Sequence, residues 1–284
     1  MSISLHMPLS IASLNSGSNA NCYYVGNEDD AILVDAGLAY KETILRMEGL
    51  GLDPKRLKAV FISHEHTDHI SGVTQLHRKL NLPVYITEKT RLNTALRFRD
   101  DLIRPFIANA AIQIGSLHVL PFTKFHDAAD PHSFMVYDNE VTIGILTDIG
   151  HACKEVINCF KQCDAVFLES NYCEEMLASG SYPAQLKKRI SGKSGHLSNR
   201  QALELFVKHK SERLQLVLLA HLSQNNNTPE KALSEFRDHI GKIKLHVARR
   251  DGASELFEIH PIPAKVYNPP KPTAPKPQQL SLFS

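Results

Sequence analysis

Phe61-Ile62-Ser63-His64-Glu65-His66-Thr67-Asp68-His69-Ile70-Ser71-Gly72 is the stretch that decides how this chain is read. Three histidines and two carboxylates fall within six residues, directly after the apolar run Ala59-Val60-Phe61-Ile62. Such a run reads as a buried strand giving way to a loop. His64 and His66 are two residues apart, so both imidazoles can project to one side and meet one metal ion. Asp68 and His69 sit on the turn into a helix expected over Ile70 to Leu80, and can reach a second ion. One short loop would build half of a two-metal site, and an HxHxDH unit is too dense for a merely solvated loop.

Outward from that loop, the same pattern recurs. Strands are expected over Leu9 to Leu14, Cys22 to Gly26, Ala31 to Val34, Pro83 to Thr87, Ile112 to Ile114, Leu117 to Phe122, Ser133 to Tyr137, Val141 to Leu146, Ala165 to Leu168 and Leu214 to Ala220. Helices are expected over Tyr40 to Gly49 and Glu88 to Arg97, with another capped by Ser198. Chemistry-bearing residues follow the strands: Asp35-Ala36-Gly37, His126-Asp127, Thr147-Asp148, Glu169-Ser170-Asn171 and His221-Leu222-Ser223. Strand ends are where an α/β scaffold places its chemistry.

Two stretches carry alternative readings. Ser16-Gly17-Ser18-Asn19 is either a plain hairpin connection or an anion nest built from backbone N–H groups. Between Met176 and Leu203 the only charged residues are Lys187, Lys188, Arg189, Lys193 and Arg200. That run is either a solvated helix face or a phosphate-binding surface leading into His196.

With 284 residues, of which 43% are apolar, the chain can bury a sizeable core. The net charge of +2 announces no nucleic-acid binding by itself, so local clustering must carry any such reading. Five cysteines without a CxxC pair fit a reducing cytoplasm, with Cys153, Cys159 and Cys163 as packing residues.

The ordered set of motifs, from the Ser/Gly/Asn loop through Asp35-Ala36-Gly37, HEHTDH, His126-Asp127, Thr147-Asp148, Leu168-Glu169-Ser170-Asn171 and Gly195-His196-Leu197-Ser198-Asn199 to His221-Leu222-Ser223, resembles the metallo-β-lactamase-fold superfamily. The likeness is to its YycJ-like branch of exonucleases. It implies an αββα sandwich of two mixed sheets flanked by helices over residues 1–260. It further implies that His64, His66 and His126 hold one metal, that Asp68, His69 and His221 hold another, and that Asp148 bridges them. His118 and His132 are rival candidates for the third histidine. Lactamases of this fold typically place cysteine at the Asp148 position, so the resemblance favours phosphoester or thioester hydrolysis. All the ligands are nitrogen or oxygen, which suits Zn²⁺ or Mn²⁺ and admits Fe. By analogy with phosphodiesterases of the fold, the catalytic residues are Asp68, His196 as proton donor and Glu169 as its orienting partner.

From Pro261 the composition shifts, with seven of fifteen prolines in the last 24 residues, and a separate, extended tail is expected over 261–284. It ends in Gln279-Leu280-Ser281-Leu282-Phe283. This peptide resembles the motif by which bacterial replication and repair proteins dock on the DNA sliding clamp through Gln279, Leu280, Leu282 and Phe283. The expectation is a dinuclear-metal DNA exonuclease, 5′ to 3′, recruited to the clamp. A small-molecule hydrolase and a clamp-bound adaptor with a structural metal site are the alternatives.

Overall fold

A computed structural model describes residues 8–262. The Gln279 to Phe283 peptide lies outside the described residues. Strands β1 (Leu9–Asn15), β2 (Cys22–Gly26), β3 (Ala31–Val34), β4 (Leu57–Phe61), β5 (Val84–Tyr85) and β6 (Ile103–Arg104) form the first sheet. The second holds β7 (Ile112–Ile114), β8 (Leu117–Thr123), β9 (His132–Tyr137), β10 (Thr142–Leu146), β11 (Ala165–Glu169), β12 (Leu216–Ala220) and β13 (Lys244–Val247). The chain then returns to the first sheet as β14 (Phe257–Ile259), paired antiparallel with β1. Each sheet is antiparallel in its first part and parallel in its second: β3 to β6 in one, β10 to β13 in the other.

Period-two alternation sorts the strand residues into layers. Ile32 and Val34 of β3 face the interior between the sheets, where they meet Phe134, Ile143, Phe167 and Leu218. Leu33 of the same strand faces outward, against Met47 of α1 (Tyr40–Gly49). On the second sheet, Val217 and Leu219 of β12 turn outward to pack on helical residues such as Phe206 and Phe236. The parallel strands are therefore covered on both faces and read as unbroken apolar runs. The expected αββα sandwich is the observed one.

The helix expected over Ile70 to Leu80 is instead two: α2 (Thr67–Ile70) and α3 (Val73–Leu80). Gly72 lies between them, its N–H donating to Ala36 O at 2.8 Å. A Cβ there would sit 1.6 Å from the Leu38 carbonyl oxygen, and one at Gly37 would sit 1.7 Å from that of Asp68. The Asp35-Ala36-Gly37 turn and the metal loop thus touch backbone to backbone. The helix expected over Glu88 to Arg97 closes early as α4 (Glu88–Leu92), where the Asn93 side chain donates to Lys89 O. On the second sheet pack α5 (Lys154–Phe160), α8 (Asn199–His209) and α9 (Pro229–Phe236), and α6 (Glu174–Ser179) and α7 (Ala184–Ile190) lie in the segment between β11 and α8. Ser198 caps α8 in a reciprocal capping box with Gln201. Cys153, Cys159 and Cys163 are buried and free. No helix among the described residues is long and apolar enough to cross a membrane.

The close approach at Gly37 is testable. Gly37→Ala is expected to lower unfolding free energy by roughly 3 kcal/mol or more in urea titrations, because the backbone must separate to admit a methyl. Gly49→Ala, with nothing within 4 Å of the added carbon, should change it by less than about 1 kcal/mol. Equal effects would refute the packing described.

Candidate metal centre

Three residues at parallel strand ends adopt left-handed backbone: Asp35 after β3 (φ 60°), Asp148 after β10 (φ 54°) and His221 after β12 (φ 56°). This region is costly for non-glycine residues and persists where the surroundings over-determine it. In each case the strand stops abruptly and turns a polar side chain onto the same edge of the sandwich.

Ring nitrogens converge there. His64 Nε2 and His66 Nδ1 are 2.9 Å apart, and His126 Nε2 lies 3.4 Å from the same His66 atom. Donors around a tetrahedral ion stand about 3.4 Å apart at metal–nitrogen lengths of about 2.1 Å. Beside them, His69 Nε2 is 3.4 Å from Asp68 Oδ2, which is 3.6 Å from His221 Nε2. Asp148 stands between the two groups, Oδ2 3.3 Å from His69 Nε2 and Oδ1 3.8 Å from His126 Nε2. Either group could hold a divalent cation.

Asp148 Oδ2 and His221 Nε2 are buried without a hydrogen-bond partner. Orphaned buried polar atoms cost roughly 1–3 kcal/mol each, and a cation between them removes that cost. The donor set therefore fits the divalent ions that the sequence implies.

The other ring nitrogens are fixed by outer partners. Asp35, fully buried, accepts from His69 Nδ1 at 2.7 Å and from Ser63 N and Oγ at 2.8 Å each. Ser63 Oγ is in turn 2.8 Å from His64 Nδ1. His126 Nδ1 donates to Gly195 O at 3.0 Å. Glu169 serves two rings through one oxygen, Oε1, at 2.8 Å from His196 Nδ1 and 3.0 Å from His221 Nδ1. Its other oxygen accepts from Ile149 N and Leu197 N. Asn21 reaches Asp68 Oδ2 and His69 Nε2 through its amide and accepts from Tyr23 OH and Gly17 N.

Burial and charge act in opposition. Burial pulls His221 down, but the Asp148 charge, with Asp68 and Glu169, outweighs it and lifts the pKa to about 10. His69 rises for the same reason, under Asp148, Asp35 and Asp68. Burial dominates at His126, down to about 3, and at His64, also lowered. Burial pushes Glu169 up, yet the His196 charge and the two histidine hydrogen bonds hold it at about 2. Lys124, buried with Nζ on Thr147 O at 2.8 Å, is lowered by desolvation.

Of the residues singled out from sequence, His64, His66, Asp68, His69, His126, Asp148, Glu169, His196 and His221 share this edge. The rival histidines are in neither donor group, although His132 N donates to Ser63 O at the same edge. His118 stacks on Tyr137 and His132 lies edge-on to Phe106. Of the backbone N–H groups over residues 16–19 that an anion nest would use, two are engaged within the protein: Ser16 N donates to Arg249 O and Gly17 N to the Asn21 side chain. Ser16 is buried, its hydroxyl accepting from His221 N, and the Asn19 amide donates to Arg250 O. Ser18 alone of the four lines the metal cleft. In the basic run, Arg189 lines the cleft and pairs with Asp127 at 2.7 Å, whereas Lys187 Nζ turns away to Ala178 O. Lys188 and Lys193 are exposed outside the cleft lining. Sequence reasoning missed Asp35 as an orienting group, Ser63, Asn21 and Lys124.

A family model described as the metallo-beta-lactamase superfamily matches residues 16–156. The chain is 32% identical over 263 residues to exodeoxyribonuclease YycJ of Bacillus anthracis, covering 89% of this chain and 95% of that protein. It is 33% identical over 259 residues to exodeoxyribonuclease WalJ of Streptococcus pneumoniae serotype 2, covering 87% and 96%. Among solved structures, the metallo-beta-lactamase fold protein YhfI of Bacillus subtilis superposes with a TM-score of 0.66 at 17% identity, covering 88% of this chain and 99% of that one. The short form of human tRNase Z does so with 0.60 at 16%, covering 87% and 98%. At such identities these structures share the fold.

The folded-state pKa of His221 lies above the roughly 6.5 of an unfolded imidazole, so its contribution to metal-free stability is complete below that value. It is lost as pH rises through about 10. An ion taking Nε2 at neutral pH must displace that proton. Zinc titration calorimetry at pH 7 in buffers of differing ionisation enthalpy is expected to report about one or more protons released per chain. Absence of proton release would remove His221 from the ligand set.

Proposed function

The chain belongs to the metallo-beta-lactamase superfamily, in the group of the YycJ and WalJ exodeoxyribonucleases, and on that premise we propose that it is a dinuclear-metal DNA exonuclease of replication or repair. The observation that carries this reading is the pair of donor groups joined by Asp148, with His196, held by Glu169, beside them in an open cleft. His64, His66 and His126 would hold one ion, Asp68, His69 and His221 the other, and Asp148 would touch both. Zn²⁺ and Mn²⁺ both suit these nitrogen and oxygen donors.

Ions so held supply Lewis acidity toward phosphate oxygens and draw the pKa of a water toward neutrality. The side chains do the rest. Glu169 fixes the His196 ring through Nδ1 and leaves Nε2 toward the cleft, the atom from which a proton passes to the departing 3′ oxygen. Because the same Oε1 holds His221, one carboxylate sets both the proton donor and a ligand, so the two cannot drift apart. Arg189, at the cleft wall on α7, offers a guanidinium to a backbone phosphate in exchange for Asp127. Attack with 3′-oxygen departure, working inward from a 5′ end, follows the resemblance to the exonuclease group.

The tail peptide Gln279-Leu280-Ser281-Leu282-Phe283 supports recruitment to a sliding clamp, which would hold the catalytic part at millimolar-scale effective concentration beside duplex DNA. The small net charge is then no obstacle.

Digestion of 5′-labelled single- and double-stranded DNA with Mn²⁺ or Zn²⁺ tests the reading. Asp148→Asn is expected to abolish release of nucleotides, and His196→Ala to lower kcat about 10²–10⁴-fold while metal content stays near that of the unmodified chain. Intact DNA under every metal would overturn it. Removing the five residues 279–283 should leave cleavage of free DNA intact and abolish co-elution with the clamp; retained co-elution would remove the docking proposal.

A further inference from the structure

Four parallel strands of the second sheet end on the catalytic edge. The first three deliver Asp148, Glu169 and His221. The fourth, β13, runs parallel to β12 and delivers Ala248-Arg249-Arg250-Asp251. This segment is fastened to the loop after β1: Ser16 N donates to Arg249 O at 2.9 Å and the Asn19 amide to Arg250 O at 2.8 Å. Between them and the residues after His221 lies a cavity of about 430 Å³.

Its buried lining is Leu222 and Ala248 with Ser16 and Asn227, Pro229 and Val247 add apolar surface nearer solvent, and its mouth carries the exposed Arg249 and the half-buried Arg250. Asp251 sits at the same mouth, its carboxylate 3.2 Å from Arg249 Nε, so the rim is net positive by one charge. Among the described residues, the Arg250 guanidinium donates to Asn19 Oδ1 at 3.5 Å. The wall toward the metal cleft is one turn thick: Ser16 lines the cavity and Ser18 lines the cleft. An apolar slot rimmed by guanidinium groups, of a size within the usual small-ligand range, matches a nucleobase with its phosphates outside.

We propose that this cavity is a nucleoside subsite for a nucleotide flanking the scissile phosphate, with Arg249 and Arg250 taking the backbone phosphates that cross the Ser16 to Asn19 turn. The inference rests on the nuclease reading and deepens it. It also assigns the phosphate contacts chiefly to the end of β13, with Arg189 the cleft's own contribution.

Two variants of the full chain test it, both read against turnover of bis(4-nitrophenyl) phosphate, a diester too small to span both sites. In Arg249→Glu/Arg250→Glu, the ratio of kcat/KM on a 5′-labelled single-stranded oligonucleotide to that on the small diester should fall about ten-fold or more. The slope of log binding constant against log salt should flatten by about two. Gln224→Trp fills the cavity from its exposed rim and should erase any preference for an oligonucleotide over the same strand carrying abasic nucleotides. If DNA is cleaved with the ratio unchanged in the double variant, or the base preference survives in Gln224→Trp, the subsite is refuted while the nuclease reading stands. If the unmodified chain hydrolyses the small diester and leaves DNA untouched, the nuclease reading falls and the subsite with it.

Discussion

The buried carboxylate of Asp35 is the constraint on which the catalytic edge depends. A charge with no exposed surface is expensive to bury, and only a full set of donors makes it tolerable. Asp35 receives three, from the Ser63 amide, the Ser63 hydroxyl and the His69 ring. Through the hydroxyl it also sets the His64 ring. One side chain, held in left-handed backbone at the end of a strand that supplies no ligand itself, aims one imidazole in each donor group. Removing it would leave His69 without its partner and turn Ser63 loose, so its cost would spread across both groups.

Glu169 plays the corresponding part on the second sheet. Two backbone amides hold one oxygen and two imidazoles share the other. The two carboxylates belong one to each sheet; Asp35 accepts from one backbone N–H and Glu169 from two.

Much of this was legible in the chain. The HEHTDH loop announces itself by composition, and the strands by apolar runs ended by Asp or His. Glu169 beside His196 followed from the resemblance. What stayed hidden depends on contacts between distant residues. Nothing local marks Lys124 as buried, since a lysine after a strand reads as solvent-facing. Asp35 reads as a turn residue until His69 is brought to it across 34 positions. The basic run over 187–193 stands out by its density, whereas the shorter Arg249-Arg250 pair has no local mark and is carried in by β13. The short helices α5, α6, α7 and α9 span two turns or so, too few to show a clear 3.6-residue period. The break at Gly72 is set by the carbonyls of Ala36 and Leu38, which no window around Gly72 contains.

The donor groups straddle the sandwich: His64, His66, Asp68 and His69 follow β4 of one sheet, while His126, Asp148 and His221 follow strands of the other. A cation bound among them would therefore be a rivet between two halves that also adhere through their apolar faces and through hydrogen bonds such as those of Ser16 to Arg249 and His221. By mass action, each ten-fold rise in free ion above its dissociation constant adds about 1.4 kcal/mol to the folded form. The lifetime of this chain in a cell would then follow metal supply, so that starvation for the ion removes the protein as well as its chemistry.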